Sequence, residues 1–265
     1  MAKQGSETKP AAHGAAYYAE RLDWTGYYNA MTGTPPRPLL VKALDVFDAE
    51  HTSDAATHSL PSRPVGGGRG RATSPATPTS STPSDPNRAR KEAAPNAIFR
   101  SSAPLAIDLG CGEGRDTTEL LRRGWRVLAI DAEQEAIDRL LARNDLTNQD
   151  NLTTQVATFE RTEFPTCDLF NAAFSLPFCP PAHFPDVWRR IVNAIAPGGR
   201  FIGQFFGNRD DWAMIEGRSH HRRAELDGLF SEFIIEKLQE EERDGSDALG
   251  FAKHWHVFHI MARRT

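Results

Sequence analysis

The stretch that most limits what this chain can become is an apolar pentapeptide, Leu105-Ala106-Ile107-Asp108-Leu109, that runs straight into Gly110-Cys111-Gly112-Glu113-Gly114. Such a run reads as a buried strand breaking into a glycine turn. Glycines there let the backbone adopt conformations that a side chain forbids and let it approach a ligand closely. The N–H groups opening the helix that follows aim at the same spot and suit polar ligand groups.

Downstream the pattern repeats. Asp116 to Arg123 reads as a helix closed by Gly124, and Arg126 to Asp131 as the next strand. A helix is expected over Glu133 to Arg143, and strands over Leu152 to Phe159 and Asp168 to Phe174. Phe184 to Ile195 reads as a helix and Arg200 to Phe206 as a fifth strand. Regular alternation of this kind favours a parallel sheet with right-handed crossovers. The last two strand-like runs, Phe233 to Leu238 and Trp255 to Met261, are joined by too few residues for a crossover helix and should pair antiparallel. The expected fold class is α/β, a doubly wound and mostly parallel sheet ending in an antiparallel hairpin.

Composition divides the chain before that point. Residues 1–16 are small and polar and read as a disordered tail. Residues 17–50 form an aromatic-rich N-terminal cap, in which the prolines at 35, 36 and 38 precede apolar residues at helical spacing, Leu39, Leu40, Ala43, Leu44 and Phe47. Residues 51–96 turn to Ser, Thr, Pro, Gly and Arg, too poor in apolar surface to offset the entropy of ordering, and read as a disordered linker or insertion. Residues 97–265 form the ligand-binding domain.

The net charge of -4 and the absence of a basic stripe argue against a nucleic-acid partner. No run approaches the roughly 20 apolar residues that cross a bilayer, so no membrane is expected. Met1-Ala2-Lys3-Gln4 leads into no hydrophobic stretch, and three cysteines without paired spacing suit reduced thiols, so the expected location is the cytoplasm. The residues carry no sign of a particular oligomeric state.

The turn has the pattern G-x-G-x-G, without the longer spacing of the dinucleotide fingerprint. Asp108 places a carboxylate where a ligand ammonium could be neutralised, and Asp131, at the tip of the second strand, can accept from both hydroxyls of a ribose. Together they suit a ligand with an α-amino group and an unphosphorylated ribose. Cys111 reads as a small space-filler in the turn.

The stretch Ile107 to Asp116 resembles the first motif of class I S-adenosylmethionine-dependent methyltransferases, close to the branch related to the tellurite-resistance methyltransferase. Val127 to Asp131 resembles that family's ribose-binding strand end, and Ala196-Pro197-Gly198-Gly199-Arg200 the turn before its fifth strand. The resemblance covers roughly residues 97–265. It implies a seven-stranded Rossmann-like sheet and S-adenosyl-L-methionine as cofactor. Gly110 and Gly112 would pack against its methionine part, Asp131 would hold the ribose, and Phe159 and Glu160 would flank adenine. Cys111, Ala132 and Phe174 complete the expected cofactor-facing set with Asp108.

Methyl transfer is an in-line displacement on an activated carbon, so it needs positioning more than a signature catalytic residue. None is assigned. The loop after the fourth strand, from Ser175 through Leu176-Pro177-Phe178, should face the acceptor. It lacks the leading amide and first proline of nucleic-acid amino-methylating enzymes, and Cys179 follows Phe178 rather than Pro. A small-molecule acceptor is therefore expected: a thiol, a chalcogen oxyanion, a carboxylate or an amine. Trp24, Tyr27 and Tyr28 either close over the site as a lid or pack the cap onto the sheet. The alternatives are a non-catalytic S-adenosylmethionine-binding module and a nicotinamide-dependent oxidoreductase, which the glycine spacing and terminal hairpin disfavour. His254 and His256 should share one strand face with His259 on the other, His220-His221 should lie at a solvated helix start, and Glu240-Glu241-Glu242 at a solvated strand end. No metal is expected, since such a site needs three or four ligands.

Overall fold

The computed structural model describes residues 23–57 and 103–265. The described residues fall into two units, 23–48 with 103–265, and 49–57. The sheet and the candidate site belong to the first.

Two helices open the described chain, α1 (Trp24–Met31) and α2 (Pro38–Thr57). Asp23 caps α1 by accepting from the Gly26 amide at 2.8 Å. Pro38 begins α2, where its missing N–H costs nothing. The helix continues through Thr57, into the segment 51–96 expected to be disordered, because His51 to Thr57 contains no glycine or proline to end it. The remainder of that segment lies outside the described residues, as does the 1–16 tail.

The sheet follows as β1 (Leu105–Leu109), β2 (Arg126–Asp131), β3 (Leu152–Val156), β4 (Cys167–Ala172), β5 (Ile195–Gly207), β6 (His220–His221), β7 (Phe233–Ser246) and β8 (Ala252–Arg264). Helices α3 (Arg115–Arg122), α4 (Gln134–Leu141), α5 (Phe184–Ala194) and α6 (Arg223–Leu229) connect them. The order is β3-β2-β1-β4-β5-β8-β7, with β6 pairing β5. Strands β1 to β6 pair parallel, and β8 is antiparallel to both β5 and β7. The seven strands expected are thus joined by an eighth: His220 and His221 add a two-residue rung to β5 instead of opening a helix in solvent.

Alternation of side chains assigns the two layers. Ile107, Leu109, Ile130, Phe170, Phe201 and Phe205 face one side and pack with Val187, Trp188 and Ile191 of α5 and Leu226 of α6. Ala106, Val127, Ala129, Leu169 and Ile202 face the other, against Leu40 and Leu44 of α2, Leu120 and Leu121 of α3, and Leu140 of α4. Both faces of the central strands are covered, which is why they read as continuous apolar runs. Each fully buried Leu, Ile or Phe contributes about 1.5–3 kcal/mol. No helix among the described residues is long and apolar enough to cross a membrane.

The strand order reverses between β1 and β4. Open α/β sheets present a crevice beyond the carboxyl ends of strands at this point. Here the crevice is bounded by the glycine turn after β1 and the turn Ala173-Phe174-Ser175 after β4.

Candidate functional site

A cleft of about 1010 Å³ opens at that switch point; the expected cofactor-facing residues line it, as do Ser175 and Phe178, whereas Leu176 and Pro177 of the same loop are buried away from it. Gly110, Cys111 and Gly112 form its floor, Asp131 and Ala132 extend it past β2, and Phe159 and Glu160 continue the wall beyond β3. Phe174 and Ser175 border it after β4, and Trp24, Tyr27 and Tyr28 reach it from α1. The cleft volume is at the upper end of the range for a single ligand and leaves room for two molecules.

The turn takes the conformation its glycines allow. Gly110, Gly112 and Gly114 have φ of 70°, 56° and 86°, the left-handed region that other residues enter at a cost. The Gly110 and Cys111 amides both donate to the Ile130 carbonyl, at 2.7 and 3.0 Å, tying the turn to β2. The Asp131 carboxylate accepts from Gly112 N at 2.9 Å and from Glu133 N at 3.0 Å. Its orientation over the turn is therefore set before any ligand arrives. Burial pushes its carboxyl above the usual carboxylate range.

Asp108 is more deeply placed than the sequence suggests. Its oxygens accept from Thr117 Oγ1 at 2.6 Å and Asn171 Nδ2 at 2.8 Å. Asn171 also reaches Asp116 at 3.3 Å, linking β4, β1 and α3 beneath the cleft. Burial, and then the Asp116 carboxylate, push Asp108 up. Cys111 and Cys179 are likewise raised by burial, Cys179 to about 12, so neither thiol is poised as a thiolate.

Strand β4 ends at Ala172, earlier than expected, and Phe174 turns out of the ladder with φ of 56°. A non-glycine residue held there marks a position constrained by its surroundings. Gln204 Oε1 accepts from the Phe174 amide at 3.1 Å and supplies part of that constraint. Phe159 likewise leaves β3 for a 3₁₀ turn, Phe159–Arg161.

The cap crosses the cleft. Arg115 of α3 donates to the Pro35 carbonyl at 3.0 Å, and the Arg37 amide donates to Asp116 at 2.8 Å. Thr25 donates to Glu135 of α4 at 2.6 Å. These bonds set Tyr28 over the glycine turn, its ring 3.7 Å from where a Cβ on Gly112 would lie. Trp24 meets Phe178 with ring centroids 5.1 Å apart. Tyr28 therefore lies over the glycine turn after β1, whereas Trp24 meets the loop after β4.

Several lining residues have no sequence signal. Arg37 lies over the Phe174 ring at 5.0 Å, and Arg218 over Phe178 at 4.6 Å. Phe206, Trp212, Trp255 and the tip of the β7–β8 hairpin complete the wall. Only the fold brings these distant segments together, so no local pattern could have announced them.

The histidines divide as expected across β8: His259 faces the cleft and His256 the opposite side. Two other expectations are corrected. His221 packs on Phe184 at 4.7 Å between ring centroids, and burial lowers it to about 4, so it is not solvated. Glu240 and Glu242 are exposed as expected but lie inside β7 rather than at its end, where Arg209 engages them at 3.0 and 2.7 Å and His256 Nε2 meets Glu240 at 2.8 Å. These three could hold a metal ion by spacing, yet Arg209 already supplies their positive charge.

The residues fit S-adenosylmethionine. The side of Gly112 that a Cβ would fill is open up to Tyr28, and a carboxylate stands fixed at the β2 tip. Buried oxygens of Glu113 and Ser175 face the cleft without hydrogen-bond partners among the described residues.

Residues 106–199 match the family model described as a methyltransferase domain. The matched segment holds the glycine turn, the β2 tip and the turn after β4, and it is a methyltransferase domain by that match. Among solved structures it is similar to TehB from Haemophilus influenzae, at 17% identity and a TM-score of 0.53, over 62% of this chain and 59% of that one. The chain thus spans less than two thirds of the TehB chain. It is also similar to a Burkholderia thailandensis 1,6-didemethyltoxoflavin-N1-methyltransferase, at 22% identity and a TM-score of 0.48, over 62% of this chain and 72% of that one. No curated protein matches the chain.

Proposed function

We propose that the chain transfers a methyl group from S-adenosylmethionine to a small-molecule acceptor. The observation that carries this reading is the division of one cleft into a glycine-and-carboxylate end and an aromatic end. Asp131 would accept from the ribose hydroxyls, with Ala132 beside it, and Phe159 and Glu160 would flank the adenine. Gly110, Cys111 and Gly112 would cradle the methionine part. Asp108 would favour its ammonium through the cleft floor, and Phe174 would border it from the β4 side. Bound there, the cofactor supplies a sulfonium methyl, an already activated carbon.

The chain's own contribution is placement and exclusion of water. Trp24, Tyr27 and Tyr28 would cover the cleft, and Ser175, whose Oγ is buried and unpartnered among the described residues, would meet the acceptor. No residue is assigned to proton transfer, since a base helps only an acceptor that starts protonated. In this assignment residues 17–50 serve as the cap and 97–265 as the cofactor-binding domain.

Calorimetry with S-adenosylmethionine against NAD tests the cofactor, and a labelled methyl donor with a panel of thiols, oxyanions, carboxylates and amines tests the transfer. Retention of NAD in preference to S-adenosylmethionine would overturn the reading. Cofactor binding with no labelled product from any acceptor would reduce the chain to a binding module.

A further inference from the structure

The aromatic end of the cleft contains a partly buried cation that has no carboxylate partner among the described residues. Arg218 lines the cleft, and its Nε is buried and makes no hydrogen bond among the described residues. No carboxylate is within ion-pair distance of its guanidinium among those residues. Its guanidinium lies over the Phe178 ring, at 4.6 Å. Burial alone lowers its pKa, with no neighbouring charge acting against that effect.

Other cations near the cleft have ion-pair or hydrogen-bond partners. Lys253, ringed by Trp212 and Trp255 at 4.4 and 4.2 Å, donates to Asp210. Arg243 pairs with Glu241 at 2.5 Å. At the glycine end, Arg115 donates to the Pro35 carbonyl, and Arg37 to the Tyr27 hydroxyl at 3.4 Å.

Arg218 is also held in place. The Ser219 amide donates to the Pro177 carbonyl at 2.9 Å, and its hydroxyl to the Cys179 carbonyl at 2.6 Å. The backbone next to Arg218 is thereby fixed to the same loop that carries Phe178. Phe178 in turn faces Trp24 at 5.1 Å and Trp212 at 6.1 Å. The cation is thus set among aromatic rings and away from the glycine turn.

A guanidinium cannot shed its proton to escape burial, and an uncompensated buried charge is costly. Its planar fork matches a carboxylate or another planar oxyanion. We infer that the acceptor is an aromatic or similarly flat molecule bearing an anionic group, whose ring lies among Trp24, Phe178 and Trp212 and whose anion meets Arg218. The anion serves as the recognition handle, and the atom that receives the methyl is a separate matter. This rests on the assignment of the glycine end to the cofactor.

The test uses the full chain saturated with S-adenosylhomocysteine and measures binding of 2-naphthoate, 2-naphthalenesulfonate and neutral 2-naphthamide. The two anions should bind more tightly than the amide. Arg218→Gln should weaken both anions by about tenfold or more, as expected for loss of one charged hydrogen-bond partner, and leave the amide unchanged. Arg218→Lys, which keeps the charge but not the fork, should recover part of the loss. S-adenosylhomocysteine affinity should be the same in all three proteins, which shows that each is folded. If the wild-type protein retains S-adenosylhomocysteine but shows no preference for the anions, whether all probes bind or none does, the inference is overturned and the cofactor reading stands. An anion preference that survives in Arg218→Gln overturns it equally. Failure to bind S-adenosylhomocysteine at all would instead reject the cofactor assignment beneath it.

Discussion

Gly110 and Ser175 approach so closely that a Cβ on Gly110 would lie 2.4 Å from the Cβ of Ser175. The turn after β1 and the turn after β4 thus touch through a missing side chain, and this contact sets the width of the crevice between them. Gly110 also has a φ of 70°. Gly110→Ala should cost about 1–2 kcal/mol from the backbone conformation alone, with the clash adding to it. S-adenosylmethionine affinity should fall with stability, measured by calorimetry and denaturant titration. Wild-type affinity in the variant would show that the crevice width is not set here.

The buried carboxylate of Asp108 should make S-adenosylmethionine binding pH-dependent. Burial and Asp116 raise it to about 7, from an ordinary aspartate value near about 4. Between those values the folded chain holds a proton that the unfolded chain has released. Stability from this group is therefore present at low pH and lost as pH rises through about 7. A ligand ammonium nearby favours the ionised form, so binding S-adenosylmethionine at pH about 6 should release a proton. Calorimetry in buffers of different ionisation enthalpy counts that proton. The release should shrink in Asp108→Asn, and equal release in both proteins would separate Asp108 from the ligand.

Beneath the aromatic end, Asp210 accepts from Lys253 and also from the Trp212 and His256 amides, at 2.9 and 3.0 Å. Both side chains of the ion pair are essentially inaccessible, at 1% and 0% exposure. Lys253→Met leaves a buried carboxylate without its cation and should cost about 3–5 kcal/mol. Asp210→Asn combined with Lys253→Met should recover much of this in a denaturant titration. Equal loss in the single and double variants would show that the charge is not what matters.

Trp24 is half-buried and reaches the cleft from α1, so Trp24→Ala should still fold. If the ring covers the acceptor, its loss should raise the KM of the best acceptor about two- to tenfold and leave cofactor affinity nearly unchanged. An unaltered KM would leave Trp24 as packing for the cap.

What the sequence made legible follows from what is local. A strand buried on both faces announces itself by composition, as Leu105 to Leu109 does, and a turn that needs positive φ announces itself by glycine. The length of β7 was hidden because Glu240 to Ser246, on the outer strand, are largely exposed and carry charges in place of an apolar alternation. The end of β4 was missed because Phe174 is apolar and looks like strand, whereas Gln204, 30 residues on, holds it in a turn. Arg218 is one of many arginines until the fold places it over Phe178. Pairings of that kind are made by tertiary structure alone.

The helix α1 is only 8 residues long, yet Trp24 at its start touches the loop after β4 and Tyr28, one turn later, lies over the glycines after β1. The helix therefore bridges the two halves of the crevice, and any factor by which filling one half changes affinity in the other must act equally in both directions.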